Sequence, residues 1–342
     1  MRSLLPRPAL FVLLLLVSAA LGAFARPLEI FFIDVEGGQS TLIVSPSGQS
    51  LLIDTGWRGF EGRDADRIVQ AARAAKLKRI DYLLITHYHR DHVGGVQQLA
   101  SQIKILNFLD HGPNIQDSKT VKEDYADYIK AVQQGEHTVL KPGDTVPIKD
   151  LSVKVLTAAG EHIQKPLEGA GQPNPYCATT SKRAPDPTEN AQSVGILVTF
   201  DRFRFLDMGD LTWNKELELM CPNNPIGTVD VLLVSHHGLN QSNSPALVQA
   251  VHPRVAIMNN GAKKGGSPDA WQIVKDSPGL EDLWQLHYAE AGGKEHNVAD
   301  SFIANVDQGD GDYIKLTAEG NGTFTVWNQR NKFEKVYKAS GK

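Results

Sequence analysis

Between the apolar run DYLLI and the pair Gly94-Gly95 the chain reads THYHRDH, from Thr86 to His92, with three histidines and an aspartate in seven residues. No other stretch constrains the fold as much. DYLLI is a short apolar run suited to a strand covered on both faces, and VGGVQQLAS beyond it suits a helix. If residues 86–90 continue the strand as extended chain, His87 and His89 point to one side, because the side-chain period is two. Asp91 and His92 then turn off the strand end toward the same point. Four such groups around one spot suit two adjacent metal ions. Imidazole nitrogen with carboxylate oxygen fits zinc, with manganese or iron as alternatives, and a zinc site open to water lowers that water's pKa to about 7.

The rest of the chain alternates strands and helices. LEIFFIDV, STLIVSP and SLLIDTG read as a meander broken by Gly-rich or Pro-Ser-Gly turns. DADRIVQAARAAKLKRI has apolar residues at helical spacing, with acidic residues near its start and basic ones toward its end. A second helix is expected over SKTVKEDYADYIKAVQQ, then strands over TVPI and LSVKVLT. Residues 158–192 lose periodicity and gather proline and glycine, which marks a long functional loop or lid. Beyond it come VGILVTF, RFRFLDMGD, an amphipathic WNKELELM, VDVLLVSHHG, SPALVQAV and RVAIMNN, and YIKLTAEGNGTFTVW signals a C-terminal β-hairpin. With no low-complexity linker dividing the halves, residues 26–342 are expected to form a single layered α/β unit.

The spelling H-x-H-x-D-H after a strand resembles the metallo-β-lactamase superfamily, and the resemblance extends over most of the chain. It implies an αβ/βα four-layer sandwich. LLIDTG ends in Asp54, matching the family's buried aspartate behind the metal loop; LDMGD ends in Asp210, matching the carboxylate that bridges two ions; VSHHG supplies His236 and His237 at the strand end that gives the last ligand. By that resemblance His87 and His89 bind a first metal, Asp91, His92 and His236 a second, and Asp210 both. Within the superfamily, FFIDVEGGQSTLIVSPSGQSLLIDTG and SHHG are most similar to the hydrolase domain of ComEC, the competence DNA-uptake channel. That branch has D-V-G-Q-G-D where this chain has Asp34-Val35-Glu36-Gly37-Gly38-Gln39.

A further departure concerns the first metal, for which many family members supply a third histidine in G-H-T-x-G-S. Aligning that serine to Ser193 puts Glu189 at the histidine's place, so Glu189, Asn190, His162 from the long loop, or water is left to complete the site. His111, His137, His252, His287 and His296 lie outside any ligand spacing and read as packing, surface or substrate-facing residues.

The resemblance implies metal-assisted hydrolysis by a metal-activated hydroxide. Asp91 would orient that nucleophile or shuttle its proton, and His237 would steady or protonate the leaving group. Phosphodiesters lead as substrates; a lactam, lactone or carboxylic ester is the alternative, and a metal-containing binding protein without catalysis is a different class. No G-x-S-x-G stretch competes as a serine-hydrolase signature.

Export is expected. Arg2 and Arg7 precede the apolar ALFVLLLLVSAALGA, and Ala23-Phe24-Ala25 supplies a cleavage site, so residues 1–25 read as a signal peptide for a periplasmic or extracellular protein. The apolar run falls short of the roughly 20 residues of a membrane span. Losing the two arginines takes the formal charge from −4 to −6, which argues against holding polyanions by bulk attraction. The one basic stripe, RNKFEKVYK, reads as a solvated strand end, so there is no strong nucleic-acid signature. Whether Cys177 and Cys221 bridge is left open by the sequence, as are the substrate and the oligomeric state.

Overall fold

The computed structural model describes residues 26–307 and 311–340. Residues 1–25, the expected signal peptide, lie outside the described residues. Among the described residues two sheets pack face to face with helices on both outer sides. This is the four-layer αβ/βα sandwich of the metallo-β-lactamase fold.

The first sheet runs in spatial order Glu334–Lys338, Thr323–Asn328, Ile314–Ala318, Leu28–Phe32, Thr41–Val44, Ser50–Ile53, Arg79–Leu84, Lys104–Asp110 and Glu136–Val139. The C-terminal hairpin is present, with Ala318 opposite Phe324, and it joins the sheet by pairing Ala318 with Leu28. The basic stripe gives the outermost strand, Glu334–Lys338. In the second sheet the order is Ile303–Asn305, Asp282–His287, Val255–Met258, Val231–Leu233, Phe203–Asp207, Gly195–Phe200, Ser152–Ala158 and Thr145–Val146.

Side-chain alternation explains the layering. Leu28, Ile30 and Phe32 enter the core between the sheets, while Phe31 and Ile33 enter the outer core beneath the helices. In the second sheet Val231 and Leu233 face the first sheet and Leu232 faces outward. Both faces of these strands are apolar because both are covered. Helices α1 (Arg63–Ala74), α2 (Arg90–Val93), α3 (Val96–Ala100) and α4 (Lys119–Val132) lie along the first half, with Ile68, Leu99 and Tyr128 filling the outer core of the first sheet. Helices α5 (Trp213–Met220), α6 (Pro245–Val248) and α7 (Pro268–Lys275) cover the second sheet.

The stretch 158–192 is tethered rather than free. Glu161–His162 pairs with the strand before it, Gln172–Pro173 pairs with Asn223–Asn224, and Cys177 is bridged to Cys221 across a Cα separation of 5.8 Å. No helix among the described residues is long and apolar enough to cross a membrane.

Candidate metal centre

In each sheet the strands leading into the site run parallel, so their C-terminal ends lie along one edge. Ser50–Ile53 delivers Asp54, and Arg79–Leu84 delivers Thr86 to His89. In the second sheet Phe203–Asp207 leads to Asp210, and Val231–Leu233 leads to His236 and His237. The two edges are tied together by buried polar contacts. Gln39 Nε2 donates to Asp207 Oδ2 at 2.8 Å, and His287 Nε2 pairs with Asp34 Oδ1 at 2.7 Å.

Each ring of the histidine motif is fixed from behind. Asp54 Oδ1 accepts from Thr86 N at 2.8 Å, and its Oδ2 accepts from Thr86 Oγ1 and lies 2.7 Å from His92 Nδ1. A proton on His92 Nδ1 therefore leaves Nε2 as a lone pair pointing inward. His87 Nδ1 lies 3.1 Å from Thr86 Oγ1, and His89 Nε2 lies 2.9 Å from Gln116 Oε1, an acceptor only. The same reasoning turns the His87 Nε2 and His89 Nδ1 lone pairs toward each other at 3.1 Å. Tautomers here follow from the neighbours each ring has.

His92 Nε2 stands 3.1 Å from Asp210 Oδ2, 3.4 Å from Asp91 Oδ2 and 3.2 Å from His237 Nε2. Asp91, His92, Asp210 and His237, all buried, bring one ligand atom each to within 4.8 Å of one another. The sequence reading gives His236 the place beside Asp91 and His92; in the structure both histidines approach the cluster, by different partners. His237 Nε2 is 3.1 Å from Asp91 Oδ2, whereas His236 Nε2 pairs with Asp210 at 3.3 Å and its Nδ1 faces Ser242 Oγ. The physical reason is local: both residues sit at positive φ, 53° and 54°, in a tight turn. There the two-residue alternation of a strand no longer governs direction. His237 Nε2 is thereby turned toward Asp91 and His92.

The alternatives for completing the first site fare differently. Glu189 is fully buried, with Oε2 on His111 Nε2 at 2.9 Å and Oε1 accepting from Ile115 N at 2.7 Å, so each oxygen already has a partner. Its backbone N–H donates to Gln116 Oε1. Glu189 thus braces the residue that orients His89. His162 Nδ1 bonds to the Ile163 carbonyl on the second sheet. Asn190 is buried, and its Oδ1 finds no hydrogen-bond partner among the described residues.

Charge is strongly coupled here. Burial pushes the Asp91 carboxyl up, but His92 and Lys264 outweigh it and hold the group well below the usual carboxylate range. Asp210 is likewise held down against burial by His236, His92 and His237. Burial and the neighbouring His92 and His89 depress His87, and burial lowers His236 to about 4. Burial would lower His92 too, yet Asp210, Asp91 and Asp54 raise it.

These residues fit metal ions on their own chemistry. Two pairs of inward ring nitrogens face each other, and Asp210 Oδ1 has no hydrogen-bond partner although buried. Such an arrangement is costly unless a cation lies among the donors. Sequence reasoning missed Lys264, whose ammonium contacts Asp91 Oδ2, and Gln116; neither lies in a spacing pattern.

Residues 33–175 match the family model described as the metallo-beta-lactamase superfamily. The chain is 26% identical to ComE operon protein 3 of Bacillus subtilis over 249 residues, which are 68% of this chain and 28% of that protein. It is 26% identical to a metal-dependent hydrolase of Anaeromyxobacter dehalogenans, covering 65% of this chain and 71% of the relative. Similarity to ribonuclease Z of Methanopyrus kandleri is 34% over 122 residues, 35% of this chain and 39% of that enzyme.

Proposed function

We propose, from the match of residues 33–175 to the metallo-beta-lactamase superfamily model, that the chain is an exported metal-dependent hydrolase of phosphodiester bonds. The observation that carries the reading is the set of inward-facing donors grouped around Asp210. His87, His89 and Asp210 would hold one ion, and Asp91, His92, Asp210 and His237 the other, with zinc as the first choice. Bound there, such ions supply an activated water and stabilise developing negative charge.

The chain's own residues do the rest. Asp54 fixes the His92 tautomer, Gln116 fixes His89, and Glu189 with His111 holds the Gln116 loop in place. Asp91 Oδ2, which contacts the Lys264 ammonium and His237 Nε2, is the group that would accept a proton from the attacking water. The phosphodiester assignment is supported by the ribonuclease named among the relatives and by the absence of the family's third histidine from the place where Glu189 stands, its oxygens held by His111 and Ile115. Export is supported by the Cys177–Cys221 bridge, a bond that persists in oxidising compartments.

A chromogenic panel on metal-loaded protein tests the substrate class: a phosphodiester is expected to turn over faster than a lactone, a carboxylic ester or a β-lactam. Ester or lactam turnover without diesterase activity would reverse it. Cell fractionation with N-terminal sequencing tests export, with a mature terminus at Arg26 expected.

A further inference from the structure

Lys264 sits on a turn that glycines lock against the metal centre from two sides. Gly261 N donates to the Lys264 carbonyl, closing the turn. A Cβ at Gly261 would press on Glu36 and Gly37, and one at Gly37 would press back on Gly261. On the other side Gly266 N donates to the His237 carbonyl, and a Cβ at Gly265 would collide with that same carbonyl. The backbone is thus clamped between the Asp34–Gln39 segment and a candidate ligand. From it the Lys264 ammonium reaches Asp91 Oδ2 and stands 5.0 Å from the centroid of the Trp57 ring. Its side chain remains 29% exposed, so it lies at the mouth of the centre and not within the core.

The placement poses a charge problem. A fixed cation is held beside a donor set built to collect cations, and its one carboxylate partner among the described residues, Asp91, also faces His92 and His237. If Asp91 is given to a metal ion, the ammonium loses much of its counter-charge and has the Trp57 face and open solvent left to it. A negatively charged group entering the mouth resolves this, and charge-assisted bonds to phosphate oxygens are the strong kind. A neutral lactone or ester offers no such partner.

We propose that Lys264 binds the anionic oxygens of the substrate's phosphoryl group, moving from Asp91 to the substrate while resting against Trp57. The inference rests on the hydrolase reading above and extends it by naming the residue that selects for a charged scissile group. Orthophosphate is the probe, because its binding to metal-loaded protein is measured without any turnover. Calorimetry is expected to show phosphate binding to the wild type and about tenfold weaker binding to Lys264→Met, with the metal content by elemental analysis unchanged. Lys264→Arg should restore most of the affinity, and it keeps the inference testable if the Met variant does not fold. Wild-type affinity in Lys264→Met, absence of phosphate binding to the wild type, or loss of metal from Lys264→Met would each overturn the proposal. Phosphate binding that depends on Lys264 in a protein that cleaves only esters or lactams would instead retire the phosphodiester reading and leave the anion site standing.

Discussion

Among the described residues two groups of three or more side chains bring histidine and carboxylate ligand atoms together within 4.8 Å, one formed by Asp91, His92, Asp210 and His237 and the other by Asp34, Glu36 and His287. By donor type and proximity both qualify as metal sites. They differ in what already balances them. In the second group Arg67 Nη1 donates to Asp34 Oδ2 at 2.9 Å and to Glu36 Oε1 at 3.2 Å, while His287 Nε2 closes on Asp34 Oδ1. Burial raises Asp34, yet His287 and Arg67 bring it below its usual value. A guanidinium resident in the cluster does the work a metal would do. In the first group Asp210 Oδ1 is buried without a hydrogen-bond partner, and His92 Nε2 faces His237 Nε2 at 3.2 Å. Proximity of donors therefore does not define a metal site; unanswered lone pairs do.

The largest expected effect is at the unbalanced cluster. Asp210→Ala should reduce turnover to background and lower the metal content, since Asp210 Oδ2 is the oxygen approached by His92, His236 and His237. His237→Ala should follow it closely and His236→Ala should lose less, because His236 pairs with Asp210 and with no other carboxylate of the cluster. Metal analysis and rates on the same preparations decide this. Equal losses in the two histidine variants would erase the distinction between them.

At the balanced cluster the expectation is reversed. Arg67→Met should cost about 3–5 kcal/mol in denaturant unfolding, the penalty for leaving buried charge without its partner. His287→Ala should leave the metal content of the protein as it was. A lower metal count in His287→Ala would show that the Asp34 cluster binds metal after all, and the contrast would fail.

Much of the site was legible because period-two geometry carries it. His87 and His89 share a side of extended chain, and Asp54 and Asp210 lie at the ends of apolar strands. Which of His236 and His237 lies beside Asp91 was not legible, since consecutive histidines at positive φ have no strand alternation to read. The partners of Glu189 were not legible, because an ungapped alignment cannot see that the loop at 111–116 supplies them. In the fold, the strand Asp282–His287 escaped notice because buried Gln285 interrupts its apolar run. Gln285 is satisfied by Asn297 and by the backbone of Val298, which sequence spacing does not reveal. Lys264 is remote in the chain from Asp91 and is delivered by a glycine turn, so no local pattern announces it.

A smaller effect is expected one step behind the ligands. Asp54→Asn keeps the shape and can still accept from Thr86 N, but it removes the carboxylate behind His92 Nδ1. A loss of about 10–100-fold in metal affinity or turnover is expected, as for other groups that orient a metal-binding histidine. Competition with a chelator of known affinity measures it, and wild-type affinity would mean that Thr86 alone fixes the ring.

The smallest effect concerns Asp207, which ties the two strand edges together by accepting from Gln39 Nε2 and Gly209 N. Burial, helped by the negative charge of Asp54, raises its pKa from 3.8 to about 7, although Gly209 and Gln39 pull the other way. A carboxyl whose folded pKa is raised favours the fold while protonated. Its contribution is complete below about pH 4 and is lost as pH rises through about 7. Asp207→Asn cannot ionise, while its amide oxygen can still accept from Gly209 N and the Gln39 amide can turn to meet its NH2 group. The melting temperature of chelator-treated wild type, measured against that of Asp207→Asn, should therefore fall between pH 5 and pH 8. For each 1 kcal/mol lost the fall is about 2 °C or somewhat more in a chain of this size. Taking the difference between the two proteins cancels the other titrating groups they share. A difference that stays flat across that range would place Asp207 among ordinary ionised carboxylates and leave Gln39 bound to a charge at every pH.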